Sequence, residues 1–174
     1  MRAHEIAESL PMAGSKLTGS LQLYVARSAQ VTEILKPRSG SNYKIMWTST
    51  AEPQGDGYTS DWAQWVSSEM PQWSSDRGTL YQVTGGARIL SMNTDKDAFA
   101  VAEHYGVAAP KNPMAWLTWS QKFPWDNIAQ DFDAVHHVPA SRMSNILMNS
   151  WDVESTAWFN ARHLKKLGEV KVIT

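Results

Sequence analysis

The chain has 174 residues, enough for one domain that buries a core without help from disulfides or structural metals. It contains no cysteine, which excludes thiol catalysis, thiolate zinc sites and disulfide frameworks and is compatible with a reducing cytosol. Sixteen Lys and Arg nearly balance seventeen Asp and Glu, with no block of one sign, so charge indicates neither nucleic acid nor an anionic membrane as a partner.

Met1 to Ser20 carries His4, Glu5 and Glu8 where a signal peptide needs an unbroken apolar core, and no stretch reaches the roughly 18 apolar residues of a membrane span. A soluble, cytoplasmic protein is expected. Residues 1–20 read as an arm, with a short helix over His4 to Leu10 and a loop through Gly14 to Ser20. Residues 21–174 read as a single α+β domain. The nine Trp are the compositional oddity. They are read either as core and interface aromatics or as flat faces for a sugar or a heterocycle.

Leu21 to Arg27 alternates as a strand, with Leu21, Leu23, Val25 and Arg27 on one face. An arginine on a buried face needs an anion, either an internal carboxylate or a ligand phosphate. A helical turn over Ala29 to Leu35 stops before Pro37, and a β-rich run, Lys44 to Thr50, then ends in three hydroxyl residues, Thr48, Ser49 and Thr50. Glu52 to Gly57 reads as a loop. The N-cap residues Thr59, Ser60 and Asp61 open a helix to Met70, whose Trp62, Trp65 and Val66 stripe is read as core rather than as a cofactor box.

Gly85-Gly86 between two β-rich runs, 78–84 and 87–92, predicts a hairpin. Thr94 with Asp97 forms a variant capping box for a helix that Gly106 closes. Trp116 and Trp119 share a helical turn, Trp125 to Phe132 gives a short amphipathic helix, and Asp133 to Val138 a strand closed by Pro139. His136 and His137 point to opposite faces of that strand. They are expected to be structural, one buried and hydrogen-bonded and the other exposed, because the usual metal spacings are absent.

Trp151 to Phe159 alternates strictly, so that Asp152, Glu154, Thr156 and Trp158 share one face. Two acids then project side by side, roughly 6.5 to 7 Å apart, in a geometry that suits stabilisation of positive charge. A solvated strand face is the plainer reading. A last strand covers Glu169 to Thr174. The tally is six or seven strands with three or four short helices. It predicts an α+β fold with a mostly antiparallel, split or sandwich-like sheet and short flanking helices. Dinucleotide and P-loop glycine motifs and a nucleophile elbow are all missing.

Arg27 ending an early strand, Thr48-Ser49-Thr50 ending the next, and Glu154 on a late strand two residues after Asp152 form an ordered set. This order resembles the ADP-ribosyltransferase superfamily, in its Arg, Ser-Thr-Ser and Glu-x-Glu branch. The resemblance implies NAD as co-substrate, cleavage of the nicotinamide–ribose bond, and transfer of ADP-ribose to a macromolecular acceptor, expected to be a protein. It implies that Arg27 holds the NAD phosphates and that Ser49, or Thr48 or Thr50, shapes the nicotinamide pocket. Glu154 is then the catalytic acid and Asp152 the residue that selects the acceptor. Thr-Ser-Thr replaces Ser-Thr-Ser, and Asp-Val-Glu replaces Glu-x-Glu; the shorter acid leaves acceptors other than arginine, or water, open. Trp47 or Tyr58 is placed to stack on nicotinamide, or else belongs to the core.

Trp47-Thr-Ser-Thr, Trp62-x-x-Trp65 and Asp152-Val-Glu-Ser-Thr-x-Trp158 also resemble a pattern of bacterial and phage proteins that implies no activity. Two other functions stay open. One is a non-catalytic binding or inhibitory module that uses a surface of Trp62, Trp65, Trp116 and Trp119. The other is a sugar-binding domain using the same faces.

Overall fold

Leu23 on strand β1 (Leu21–Tyr24) is fully buried, and so is its neighbour Gln22, although successive strand residues point to opposite faces. The strand is therefore covered on both sides, with an apolar residue on one and a polar residue on the other. The computed structural model describes residues 10, 14–25, 45–110, 116–139 and 153–174. Around β1 it sets α1 (Gly14–Leu17), β2 (Met46–Thr50), β3 (Glu52–Gln54), β4 (Gly57–Thr59), α2 (Asp61–Glu69) and β5 (Arg77–Val83). There follow β6 (Ile89–Ser91), α3 (Asp95–His104), α4 (Trp116–Gln121), α5 (Trp125–Asp131), β7 (Ala134–His137), β8 (Ser155–Trp158) and β9 (Leu164–Lys171).

Seven strands form one hydrogen-bonded sheet in the order β6-β7-β8-β2-β1-β5-β9, and β3 pairs with β4 in a separate hairpin. Only β6 and β7 run parallel within the sheet. The molecule is thus α+β with a mostly antiparallel sheet and short helices, as the alternating patterns predicted.

One face of the sheet is apolar and carries the helices. Leu90, Val135 and Phe159 pack with Ala98, Val101 and Ala102 of α3 and with Trp119, Phe123 and Ile128, while Leu23 and Leu80 pack with Ala63 of α2. On the other face Met46, Val83, Ile89, Ala134 and Trp158 form a third cluster with Leu17. Leu10 joins the first cluster and Leu17 the third, so both leucines pack against the domain.

Helix α3 has the expected reciprocal cap: the Thr94 hydroxyl accepts from Asp97 N, and the Asp97 carboxylate accepts from Thr94 N. Gly106 follows with a φ of 77°, the left-handed geometry that ends helices. The expected hairpin across Gly85-Gly86 does not form. Strand β5 pairs with β1 and β9, whereas β6 joins the far end of the sheet beside β7. Leu80 and Val83 need cover on both faces, so β5 is an interior strand and the long-range pairings override the local turn. Conversely, the expected loop at Glu52 to Gly57 is the β3–β4 hairpin, and β9 begins at Leu164 rather than Glu169. The helices expected over His4 to Leu10 and Ala29 to Leu35 fall on residues that, Leu10 apart, lie outside the described ones.

Candidate functional site

Strands β2 and β8 pair with Met46 opposite Trp158 and Thr48 opposite Thr156. The pairing stops there, and Glu154, the residue just before β8, meets the end of the hydroxyl run through its side chain. The Glu154 side chain is only 12% exposed, which removes the solvated-surface reading. Its Oε2 accepts from the Thr50 backbone N–H at 2.8 Å and from the Ser49 hydroxyl at 2.6 Å. Its Oε1 accepts from the Thr50 hydroxyl at 2.9 Å. A carboxylate buried to this extent is tolerated only because donors replace the lost water.

Behind the carboxylate lies a directed chain of hydrogen bonds. An indole N–H can only donate, so Trp158 Nε1 donates a hydrogen bond to Thr48 Oγ1 at 2.9 Å. Thr48 then donates to Gln22 Oε1 at 2.7 Å, which turns the Gln22 amide nitrogen toward Thr50 Oγ1 at 3.2 Å. Thr50, already an acceptor, donates its own hydroxyl hydrogen bond to Glu154 Oε1. Every link therefore points toward the carboxylate, and such chains polarise in the same sense along their length. Gln22, Thr48, Thr156 and Trp158 are all nearly or fully buried, so the array is preorganised rather than assembled by a ligand.

Two acceptors of Oε2 and one of Oε1 are satisfied among the described residues, out of about four lone-pair positions on a carboxylate. The remaining position is on Oε1, the oxygen 3.5 Å from His136 Nδ1. His136 lies opposite Thr156 on β7, and its Nδ1 is 2.9 Å from Thr156 Oγ1. Burial pushes this imidazole below its usual range; Glu154 pulls it up and His137 pushes it further down, and the net shift is downward. His137 faces the other way, with Nδ1 2.6 Å from the Met92 carbonyl. Both histidines are buried, so the expectation of one exposed ring is corrected: β7 is covered on both faces.

Ser49, Thr50 and Glu154 therefore meet, with Thr48 two links behind them through Gln22. Trp47 alternates to the sheet face opposite Thr48 and Thr50 and is half-buried. Tyr58 packs against the cluster of Leu23, Ala51 and Val172, on the helix-bearing side. Arg27 and Asp152 lie outside the described residues. Gln22, His136, Thr156 and Trp158 belong to the site without having been singled out for it. Gln22 had one detectable sign, a polar residue inside the first alternating strand, but its burial depends on cover that no local pattern reports.

A second buried acid sits near the start of β7, on the far side of the sheet's apolar cluster. Asp133 is fully buried and accepts from Arg88 N at 2.8 Å, from Asn160 Nδ2 at 3.0 Å and from the Arg162 guanidinium, with His163 Nε2 at 3.7 Å. These bonds tie the β8–β9 connection to the β5–β6 connection, a structural role. Among the described residues there is no cluster of three or more potential metal ligands, and no helix is long and apolar enough to cross a membrane. Comparisons with protein-family models, with curated proteins and with solved structures find no match.

Proposed function

We propose that the protein is an ADP-ribosyltransferase-like enzyme that cleaves the nicotinamide–ribose bond of NAD and transfers ADP-ribose to an acceptor. The observation that supports this reading is the seating of Glu154: a nearly buried carboxylate gripped by Ser49 and Thr50, two residues of the hydroxyl run that the resemblance assigns to the nicotinamide pocket. In the reaction, nicotinamide leaves with the bonding electrons and positive charge develops on the ribose. An acceptor nucleophile or water then attacks the anomeric carbon and releases a proton. A fixed negative charge in a water-poor pocket stabilises that cation as it forms, without reorganising. The position on Glu154 Oε1 left unfilled among the described residues suits a ribose hydroxyl, and the resemblance assigns Arg27 to the NAD phosphates.

The alternative is a non-catalytic protein-binding or inhibitory module. It draws on Trp62 and Trp65, stacked at 5.2 Å and half-buried, and on Trp73, 47% exposed. Trp119 is buried in the core and contributes nothing to such a surface. Titration with NAD separates the two. Saturable binding at or below millimolar concentration supports the enzyme, and absence of binding at that concentration removes it.

A further inference from the structure

We infer that His136 is a positioning residue for Glu154 and gives the site an acid-side off state, an inference that rests on Glu154 being the reacting carboxylate proposed above. His136 on β7 and Glu154 just before β8 come within reach of each other, and their side chains are only 9% and 12% exposed. Nδ1 stands 2.9 Å from Thr156 Oγ1 and 3.5 Å from Glu154 Oε1, the oxygen with an acceptor position to spare. In the neutral ring the proton belongs on Nδ1, because a nitrogen lone pair aimed at a carboxylate at that distance is repelled. The ring then holds Thr156 and faces Oε1 with its N–H edge, which fixes the rotamer of Glu154.

Protonation at Nε2 keeps the Nδ1–H edge and adds a full positive charge beside Oε1. An imidazolium turned on Oε1 fills the remaining acceptor position and offsets the charge that the ribose cation requires. Glu154 from the β8 side and His137 on β7 itself are the titratable groups that act on His136 among the described residues, and Ser91 opposite it on β6 is uncharged. Burial favours the neutral ring, so the active form prevails at neutral pH and is lost on acidification.

Nicotinamide release from NAD is measured between pH 5 and pH 8 for wild type, His136→Gln and His136→Asn. The His136 ring is followed by NMR in wild type and Glu154→Gln. Wild type is expected to lose about tenfold in rate for each pH unit below the imidazole midpoint, as a single titration dictates. Both His136 variants are slower at neutral pH but lack that acid limb, staying within about twofold across it. The His136 midpoint is expected to move down in Glu154→Gln, because the attracting carboxylate is gone. An acid limb unchanged in both variants, or a midpoint that ignores Glu154→Gln, overturns the inference. If wild type releases no nicotinamide, the NAD reading fails by itself, and the NMR titration alone decides whether His136 and Glu154 are coupled.

Discussion

Ser49 Oγ lies 2.6 Å from Glu154 Oε2, joining two residues 105 positions apart in the chain. The contact exists because β2 and β8 are neighbours in register, so that the end of the hydroxyl run and the residue just before β8 face each other. Ser49→Ala and Thr50→Val each remove one donor to the buried carboxylate. Each is expected to cost about 1–3 kcal/mol in denaturant unfolding, the cost of leaving a buried acceptor short of a partner. In double-mutant cycles with Glu154→Gln, each is expected to couple by roughly 0.5–3 kcal/mol. Additivity within error would mean that the hydroxyls do not hold the acid.

The chain from Trp158 to Glu154 makes a prediction at its distant end. Trp158→Phe keeps a large ring but deletes the N–H that orients Thr48, and through it Gln22 and Thr50. Nicotinamide release is expected to fall severalfold although the indole is three residues removed from the carboxylate in the network. Gln22→Leu is expected to do the same. Activity unchanged in both would show that Glu154 is positioned by its immediate neighbours alone.

Asp133 supplies a pH dependence of stability. Burial alone pushes its carboxyl up, but the Arg88 N–H, the Asn160 amide and the Arg162 guanidinium outweigh it and hold it below the usual carboxylate range. A folded value below the unfolded one, about 3.9, means that the stabilisation is fully present above that pH and is lost as pH falls through the folded value. Wild-type unfolding free energy should therefore decline below about pH 4. Asp133→Asn should be less stable at neutral pH by about 1–3 kcal/mol, since its NH2 opposes a donor, and should show a shallower acid decline. An identical acid profile would assign the acid sensitivity elsewhere.

The Thr94 cap offers a control far from the chemistry. Thr94→Ala removes the acceptor for Asp97 N and should cost about 1 kcal/mol. Its nicotinamide release, measured well below the melting temperature, should match wild type. A drop in activity comparable to that of Ser49→Ala would indicate that global stability, not the local network, governs the assay.

Local chemistry made several of these features legible in the sequence. The Thr94–Asp97 cap and Gly106 mark α3 because helix ends are satisfied by near neighbours. The alternation put Thr156 and Trp158 on one face, as their pairings with β2 and β7 have them, although β8 begins only at Ser155, after Glu154. What escaped is what depends on partners far along the chain. Gly85-Gly86 has the composition of a hairpin turn, yet β5 is claimed on both edges by β1 and β9. Gln22 reads as the solvent side of a half-buried strand, and only the strands packed around it make it a core amide. His136 gave no sign of its neighbour because its distance to Glu154 is set by pairing across β7 and β8.

The central claim is that the Glu154 carboxylate carries the reaction, and nicotinamide release from NAD by wild type and by Glu154→Gln tests it most directly. The substitution preserves size and removes the charge that stabilises the ribose cation. A drop of about 100-fold or more is expected, the scale of losing one principal electrostatic contact, with a circular dichroism spectrum like that of wild type. Equal release by the two proteins would contradict the account.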